Sequence, residues 1–436
     1  MNFSIFNFGC KVNQYESQIM SDLMVQSGYD ISDEKENADV MIINSCTVTA
    51  VSDNKVMKLI RHLRRKNPRA VIVLTGCMPQ AYPDLTTEFT LVDVVLGNSM
   101  RRELPDAIKR FLETGEQVVE VHKYTKNSDF EVVSVSKFEE RTRAFVKIED
   151  GCNRYCSYCI IPYARGPVRS KPLDVIEKEL RTLASHGYKE IVLVGINLSA
   201  YGQEIGKHLC DAVECACSIE GIERVRLGSL EPERMDKDSI QRLAKLSKFC
   251  PQFHLSLQSG CTETLKRMNR HYTADEYEKI VGDLRSVFEN CSITTDVMVG
   301  FAGETEEEFI KSLDFVKRIG FAKVHVFPYS QREGTVAAKR PDQIDNSVKS
   351  QRSRQMIAAT EESRRLFLES QLGLCESVLF EQPDENGKWQ GYTMNYTPVR
   401  CECGMDINGK ILAVNLTKVC EDHLVGEIIY DKPDII

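Results

Sequence analysis

The stretch EDGCNRYCSYCIIPYARG, residues 149–166, sets cysteines at Cys152, Cys156 and Cys159. Steps of four and then three could share one helix face. Gly151, Asn153, Pro162 and Gly166 argue instead for a loop wrapped around something. Thiolates are soft ligands that favour iron–sulfur clusters or zinc. A structural zinc wants a fourth Cys or His close by, and the next histidine, His186, lies far along the chain. Three thiolates on a four-iron cluster would leave one iron open to a substrate or cofactor.

Outward from that loop the chain alternates strand and helix patterns. Strand candidates are AFVKIED, which leads into the loop, then EIVLVGIN, RVRLGSLEP, FHLSLQSG, ITTDVMVGF and KVHVFPYS. Between them lie amphipathic runs such as LDVIEKELRTLASHG, DEYEKIVGDLRSVFEN and TEEEFIKSLDFVKRIG, with LCDAVECACSIEG as a further helical candidate. Six units in strict alternation predict a (βα)6 partial barrel, with active residues at the C-terminal ends of its strands. Polar residues fall at those ends: Asn197, Glu231, Gln258 and Asp296.

Toward the N-terminus, FSIFNFG, DVMIINS, AVIVLTG and DVVLG read as buried parallel strands with helical crossovers. Cys10, Cys46 and Cys77 end the first three. In a parallel sheet the strand C-termini share one edge, where ligands usually bind, so three cysteines distant in sequence should converge there. The expected organisation is an α/β domain over 1–120, a linker over 121–143, the partial barrel with a charged helical extension over 144–372, and a small antiparallel β-barrel over 373–436.

Composition narrows the classes. With 42% hydrophobic and 28% charged residues the chain is an ordinary globular one. No long apolar run and no leader-like N-terminus appear, so a cytoplasmic protein is expected. Sixteen cysteines in a reducing compartment point to metal ligation, reactivity or burial rather than disulfides. A net charge of −8 argues against a surface that coats nucleic acid generally. Local basic runs remain: Lys58–Arg69, Arg101–Arg102, Arg165–Lys171, and the 349–365 segment.

The Cys152, Cys156, Cys159 spacing after a strand that opens a βα series resembles the radical S-adenosylmethionine (SAM) superfamily. That resemblance implies that SAM occupies the open iron and is cleaved reductively to a 5′-deoxyadenosyl radical. It also implies that Tyr158 touches the adenine. Arg270, a planar bidentate donor, is a candidate partner for the SAM carboxylate. GCKVNQYES, INSCTVT, TGCMPQ, SLEP, HLSLQSG and FAGETEEEF extend the likeness over nearly the whole chain to the methylthiotransferases. In that family a second four-iron cluster sits on three N-terminal cysteines, which map onto Cys10, Cys46 and Cys77. The implied cofactors are therefore two [4Fe-4S] clusters and SAM.

The implied reaction replaces an unactivated C–H by a methylthio group. An aromatic C–H offers no acidic proton, so general acid–base catalysis cannot begin it. GCKVNQYES, CIIPYARG and GINLSAYG look most like the branch acting at C2 of N6-threonylcarbamoyladenosine, 3′ of the tRNA anticodon. Branches acting on isopentenyladenosine in tRNA and on a ribosomal-protein aspartate come next. A non-catalytic zinc-bearing RNA-binding protein is the alternative from another class. A tRNA substrate, a flavodoxin-like or similar electron donor and a monomeric state are expected. Ala302 stands where the family usually has proline.

The terminal barrel resembles that family's RNA-associated small barrel, yet its charge departs from an RNA-binding pattern. Residues 375–436 hold 5 Lys/Arg against 11 Asp/Glu, an acidic balance that suits RNA poorly. The barrel is expected either to reach RNA through a few aromatics, such as Tyr392 or Tyr396, or to act mainly as a spacer. Cys401, Cys403, Cys420 and His423 form a candidate zinc set.

Overall fold

The computed structural model describes residues 1–83, 90–125, 128–135 and 142–430. The N-terminal strands are apolar on both faces because both faces are covered. Every residue of Val40–Ser45 and Val71–Gly76 is buried. One face packs Phe3, Val40, Ile42 and Val73 against Met20 and Met24 of helix Lys11–Gln26 and Leu104 and Ile108 of helix Leu104–Thr114. The other packs Met41, Ile43, Ile72 and Leu74 against Val56, Ile60 and Leu63 of helix Ala50–Lys66.

The sheet has six strands, all parallel, in the order Asp30–Ile31, Asn2–Asn7, Val40–Ser45, Val71–Gly76, Val94–Leu96, Val118–Glu120. The two edge strands give no signal in the sequence pattern. They are two and three residues long and carry little buried apolar surface to mark them.

The (βα)6 expectation is met. Parallel strands Arg143–Lys147, Glu190–Val194, Arg224–Leu227 (continuing as Ser229–Leu230), Gln252–Leu255, Ser292–Val299 and Lys323–Pro328 follow in chain order. A parallel bridge from Val225 to Phe249 joins the two halves. The charged extension is helix Asn346–Ser370. Its Lys349 and Arg352 are buried, donating to the Tyr329 carbonyl (3.1 Å) and the Glu304 carboxylate (2.9 Å).

A closed five-stranded barrel ends the described chain, around Val378, Phe380, Val399, Val414, Leu416 and Leu424. It docks on the N-terminal ends of the partial-barrel strands, the end away from the Cys152 loop. Arg224 donates to the Tyr392 carbonyl (2.9 Å) and Arg226 to the Met394 carbonyl (2.8 Å). Tyr392 and Tyr396 stack with centroids 4.5 Å apart, and Arg143 lies 4.8 and 5.1 Å from their centroids. These rings pack on the interdomain arginines while remaining half-buried, at the wall of a cavity of about 320 Å³. Burial alone would raise the Glu190 carboxyl beneath them, but the surrounding arginines, Arg226 first, bring it down to about 2.

The zinc expectation is also corrected. Cys401 is buried within strand Pro398–Cys401, Cys403 lies beyond that strand against the Tyr430 hydroxyl, and His423 pairs with Asp422. Among the described residues no three Cys, His, Asp or Glu side chains form a single-ion site, and none of the helices is long and apolar enough to cross a membrane.

Candidate active site

Cys10, Cys46 and Cys77 follow the C-terminal ends of three neighbouring strands, which are in register at Asn7–Asn44 and Ser45–Gly76. Each strand end is tied to the next. Asn13 Nδ2 donates to the Ser45 carbonyl (3.2 Å), and Asn44 Nδ2 to the Asn13 carbonyl (2.9 Å). Ser45 Oγ donates to the Thr75 carbonyl (2.6 Å) and accepts from the Met78 amide (3.1 Å). Gly76 has φ +96°, and a Cβ there would stand 2.4 Å from the Ser45 carbonyl oxygen, so the turn that presents Cys77 requires glycine. The thiols feel one another. Cys46 is pushed up to about 12 by burial and then by Cys77, with a smaller contribution from Cys10.

The second trio lies in an irregular loop between short strand Glu149–Asp150 and helix Ile161–Arg165. The Cys152 amide donates to the Gly166 carbonyl (3.0 Å) and that of Ser157 to the Met268 carbonyl (2.9 Å). Ser157 Oγ donates to the Arg267 carbonyl (2.8 Å) and Asn269 Nδ2 to that of Tyr155 (3.0 Å). The Cys159 thiol is pushed up to about 12 by burial and then by Cys156. Each trio offers three soft donors, no fourth protein ligand and no single-ion geometry among the described residues. That donor set fits an iron–sulfur cluster better than zinc.

One guanidinium reaches each trio. Arg270 Nη1 donates to Cys156 Sγ at 3.4 Å, and Arg165 Nε to Cys77 Sγ at 3.3 Å. Arg165 closes the quoted stretch, so residues 149–166 hold one trio and touch the other. Asn98 Nδ2 also donates to the Ala164 carbonyl (2.8 Å). On the far side Arg332, past the last barrel strand, donates to Thr47 Oγ1 (2.7 Å), Asp53 Oδ2 (2.5 Å) and the Tyr82 hydroxyl (2.9 Å). A cavity of about 240 Å³ opens at this seam, lined by Ala81, Tyr82, Ile160, Tyr163, Glu333 and Gly334.

The strand-end residues gather beside the second trio. Arg270 is paired with Glu231 and also donates to the Ser256 carbonyl (3.2 Å). The carboxylate it holds in this structure is thus the chain's own. The Glu231 amide donates to Ser199 Oγ (2.8 Å) in the Asn197 loop. Gln258 has φ +66° and its amide donates to the Asp296 carbonyl (2.9 Å). A glutamine in that conformation costs about 1–3 kcal/mol, a strain that clusters at functional sites. Gln258 Oε1 and Asn197 Oδ1 are buried without a partner, acceptors suited to a polar ligand. Asp296 Oδ2 lies 3.3 Å from His254 Nε2. Tyr158 sits edge-on to Phe301, centroids 6.2 Å apart, at the margin of an apolar cluster with Met268 and Met298.

A buried ionic network, invisible to the sequence pattern, joins the two halves. Glu16 pairs with Arg101, Arg165 and Lys147 (2.9 Å for the lysine), and Lys147 also reaches Asp150 (2.9 Å). Burial would raise the Glu16 carboxyl, but Arg101, Arg165 and Lys147 hold it well below the carboxylate range. The described part of 121–143 threads this interface, with Phe130 and Val135 buried.

Glu16→Gln leaves three buried cations short of their shared anion. The expected loss is about 3–5 kcal/mol of stability at neutral pH, read by urea unfolding. A depressed folded pKa means that the Glu16 contribution is complete above its ordinary value of 4.5 and fades as pH falls below it. The wild-type and variant stabilities should therefore converge toward acid pH.

Known proteins share both halves of this arrangement. Residues 2–97 match the family described as uncharacterized protein family UPF0004, and residues 146–316 match the radical SAM superfamily. The threonylcarbamoyladenosine tRNA methylthiotransferase MtaB of Bacillus subtilis is 35% identical over 427 residues, covering 97% of this chain and 95% of that protein. Its Thermotoga maritima counterpart is 37% identical over 423 residues, covering 97% and 96%. The tRNA-2-methylthio-N(6)-dimethylallyladenosine synthase of Clostridium novyi is 36% identical over 437 residues, covering 98% and 96%. Among solved structures, the radical SAM methyltransferase TsrM of Kitasatospora setae superposes with a TM-score of 0.56 at 14% identity, over 78% of this chain and 74% of that one. That likeness concerns the fold alone.

Proposed function

The chain belongs to the radical SAM tRNA methylthiotransferases, transferases that use SAM and [4Fe-4S] clusters, and from that premise we propose that it methylthiolates C2 of N6-threonylcarbamoyladenosine in tRNA. The observation that carries the substrate is the end-to-end likeness to relatives named for that nucleoside. A similar likeness to the dimethylallyladenosine synthases supports the second reading.

The proposed roles follow from position. Cys152, Cys156 and Cys159 hold the cluster that takes SAM, and Cys10, Cys46 and Cys77 hold the auxiliary one. When bound, these groups supply the radical that removes the hydrogen and the sulfur that replaces it. The chain supplies placement. Arg270 steadies Cys156 and, through Glu231 and Ser199, the Asn197 loop. Asn197 and Gln258 offer their unpaired oxygens to SAM, and Tyr158 and Asp296 line its surroundings. Arg165 fixes Cys77 relative to the Cys152 loop, so the distance between the two centres is set by a buried contact.

Nucleoside mass spectrometry of tRNA from a deletion strain tests this reading. Loss of 2-methylthio-N6-threonylcarbamoyladenosine, restored by the wild-type gene, is expected. Loss of the methylthio-dimethylallyl nucleoside instead would establish the second reading. An unchanged nucleoside profile would overturn both.

A further inference from the structure

Folding consumes most of the basic runs. Arg101 and Arg165 are buried against Glu16, Lys171 against Glu179, and Arg352 against Glu304. Arg102 donates to the Val132 carbonyl, Arg364 to that of Asp422 (2.6 Å), and Arg365 pairs with Glu362 and Glu369. Helix Ala50–Lys66 differs. It buries Val56, Ile60 and Leu63 and turns Lys55, Lys58, Arg61 and Arg65 outward. Among the described residues none of these four has an ion pair or hydrogen-bond partner. At 100° per residue they fall within an arc of about 120°, a single stripe some 15 Å long. Exposed Arg69 extends it past the helix end.

Like charges on one helix face repel, at a cost of a few tenths of a kcal/mol per pair. They do so here on a chain whose net charge is −8, of which residues 375–436 carry −6 (5 Lys/Arg against 11 Asp/Glu). The stripe is also placed with respect to the site. Its helix is capped by Thr49, three residues past Cys46. Its first turn is clamped to the opposite half by Arg332 on Asp53. Val48 and Val51 are exposed at the same rim. The ridge thus starts at the seam between the two cysteine trios and leads away from it.

We infer that the outer face of helix Ala50–Lys66 carries the phosphate backbone of the tRNA beside the reacting nucleotide, and that this ridge, not the acidic terminal barrel, supplies the main electrostatic contact. The inference rests on the tRNA reading above. Each phosphate contact releases counterions and contributes about 0.7–0.9 to the slope of log affinity against log salt.

The test uses the reconstituted full-length holoenzyme and an unmodified tRNA transcript, with binding followed by fluorescence anisotropy across a salt series. Lys58→Glu/Arg61→Glu/Arg65→Glu, at exposed positions, should keep wild-type iron content and melting temperature. It should bind at least about tenfold more weakly near 100 mM salt, with the slope reduced by roughly 2–3. Lys410→Glu/Lys418→Glu on the barrel should bind like wild type. Unchanged affinity and slope in the helix variant, or an equal loss in the barrel variant, would overturn the inference and leave the tRNA reading standing. Failure of the wild-type holoenzyme to bind the transcript would sink both.

Discussion

A Cys156→Ala variant is expected to produce no 5′-deoxyadenosine from SAM under reducing conditions, with or without tRNA. Cys156 stands between Cys152 and Cys159 in its loop and is the thiol that Arg270 contacts. Removing a group that merely orients a metal ligand costs about 10–100-fold, so removing the ligand should cost more than a hundredfold and leave turnover below detection. The fold should survive. The loop is anchored through backbone amides and Ser157, and Cys156 adds its carbonyl, accepting from the Cys159 amide (2.9 Å). The variant loses only the thiol contact with Arg270, which keeps Glu231 and the Ser256 carbonyl. Wild-type turnover in this variant, measured by chromatography of the nucleoside product, would remove the Cys152 loop from the catalytic role assigned to it.

Cys46→Ala should separate the two halves of the reaction. Cys46 lies on the N-terminal sheet edge, outside the loop that holds Cys152, Cys156 and Cys159. SAM cleavage should remain measurable, within about tenfold of wild type. Methylthio product should vanish, because the sulfur-bearing centre is gone. The carbonyl of Cys46 still accepts from Ser52 Oγ (3.2 Å), and that contact does not depend on the thiol. Full product formation by this variant would refute a second cluster. Loss of both activities with normal folding would mean that the two centres are not separable.

What the sequence made legible, and what it hid, divide along physical lines. Cys10, Cys46 and Cys77 can be grouped from the strand pattern because a parallel sheet brings every strand C-terminus to one edge. Strands such as Glu190–Val194 are readable because burial on both faces leaves an apolar run, whereas Lys323–Pro328, with no buried residue, is readable from its alternation of β-branched and polar residues. Glu16 and Arg165 are not readable as a pair. Charged residues are rarely fully buried, so a pattern reading assigns them to the surface, and their separation of 149 positions gives no local cue. The same bias makes Lys349 and Arg352 look like RNA contacts when they are internal ties to Tyr329 and Glu304. Tyr392 and Tyr396 conceal an interdomain role for the converse reason. Aromatics on a small barrel suit stacking on bases, and only the arrangement of Arg143 and Arg226 beneath them reveals the interdomain contact.

Iron stoichiometry with Mössbauer spectroscopy tests the central claim most directly, that the chain carries two clusters on two separate cysteine trios. Anaerobically reconstituted wild-type protein should hold about eight irons per chain, all in [4Fe-4S] form. The variant Cys152→Ala/Cys156→Ala/Cys159→Ala should hold about four in the same form, and so should Cys10→Ala/Cys46→Ala/Cys77→Ala. About four irons in the wild type, or the complete loss of iron in either triple variant with its fold intact, would contradict the account.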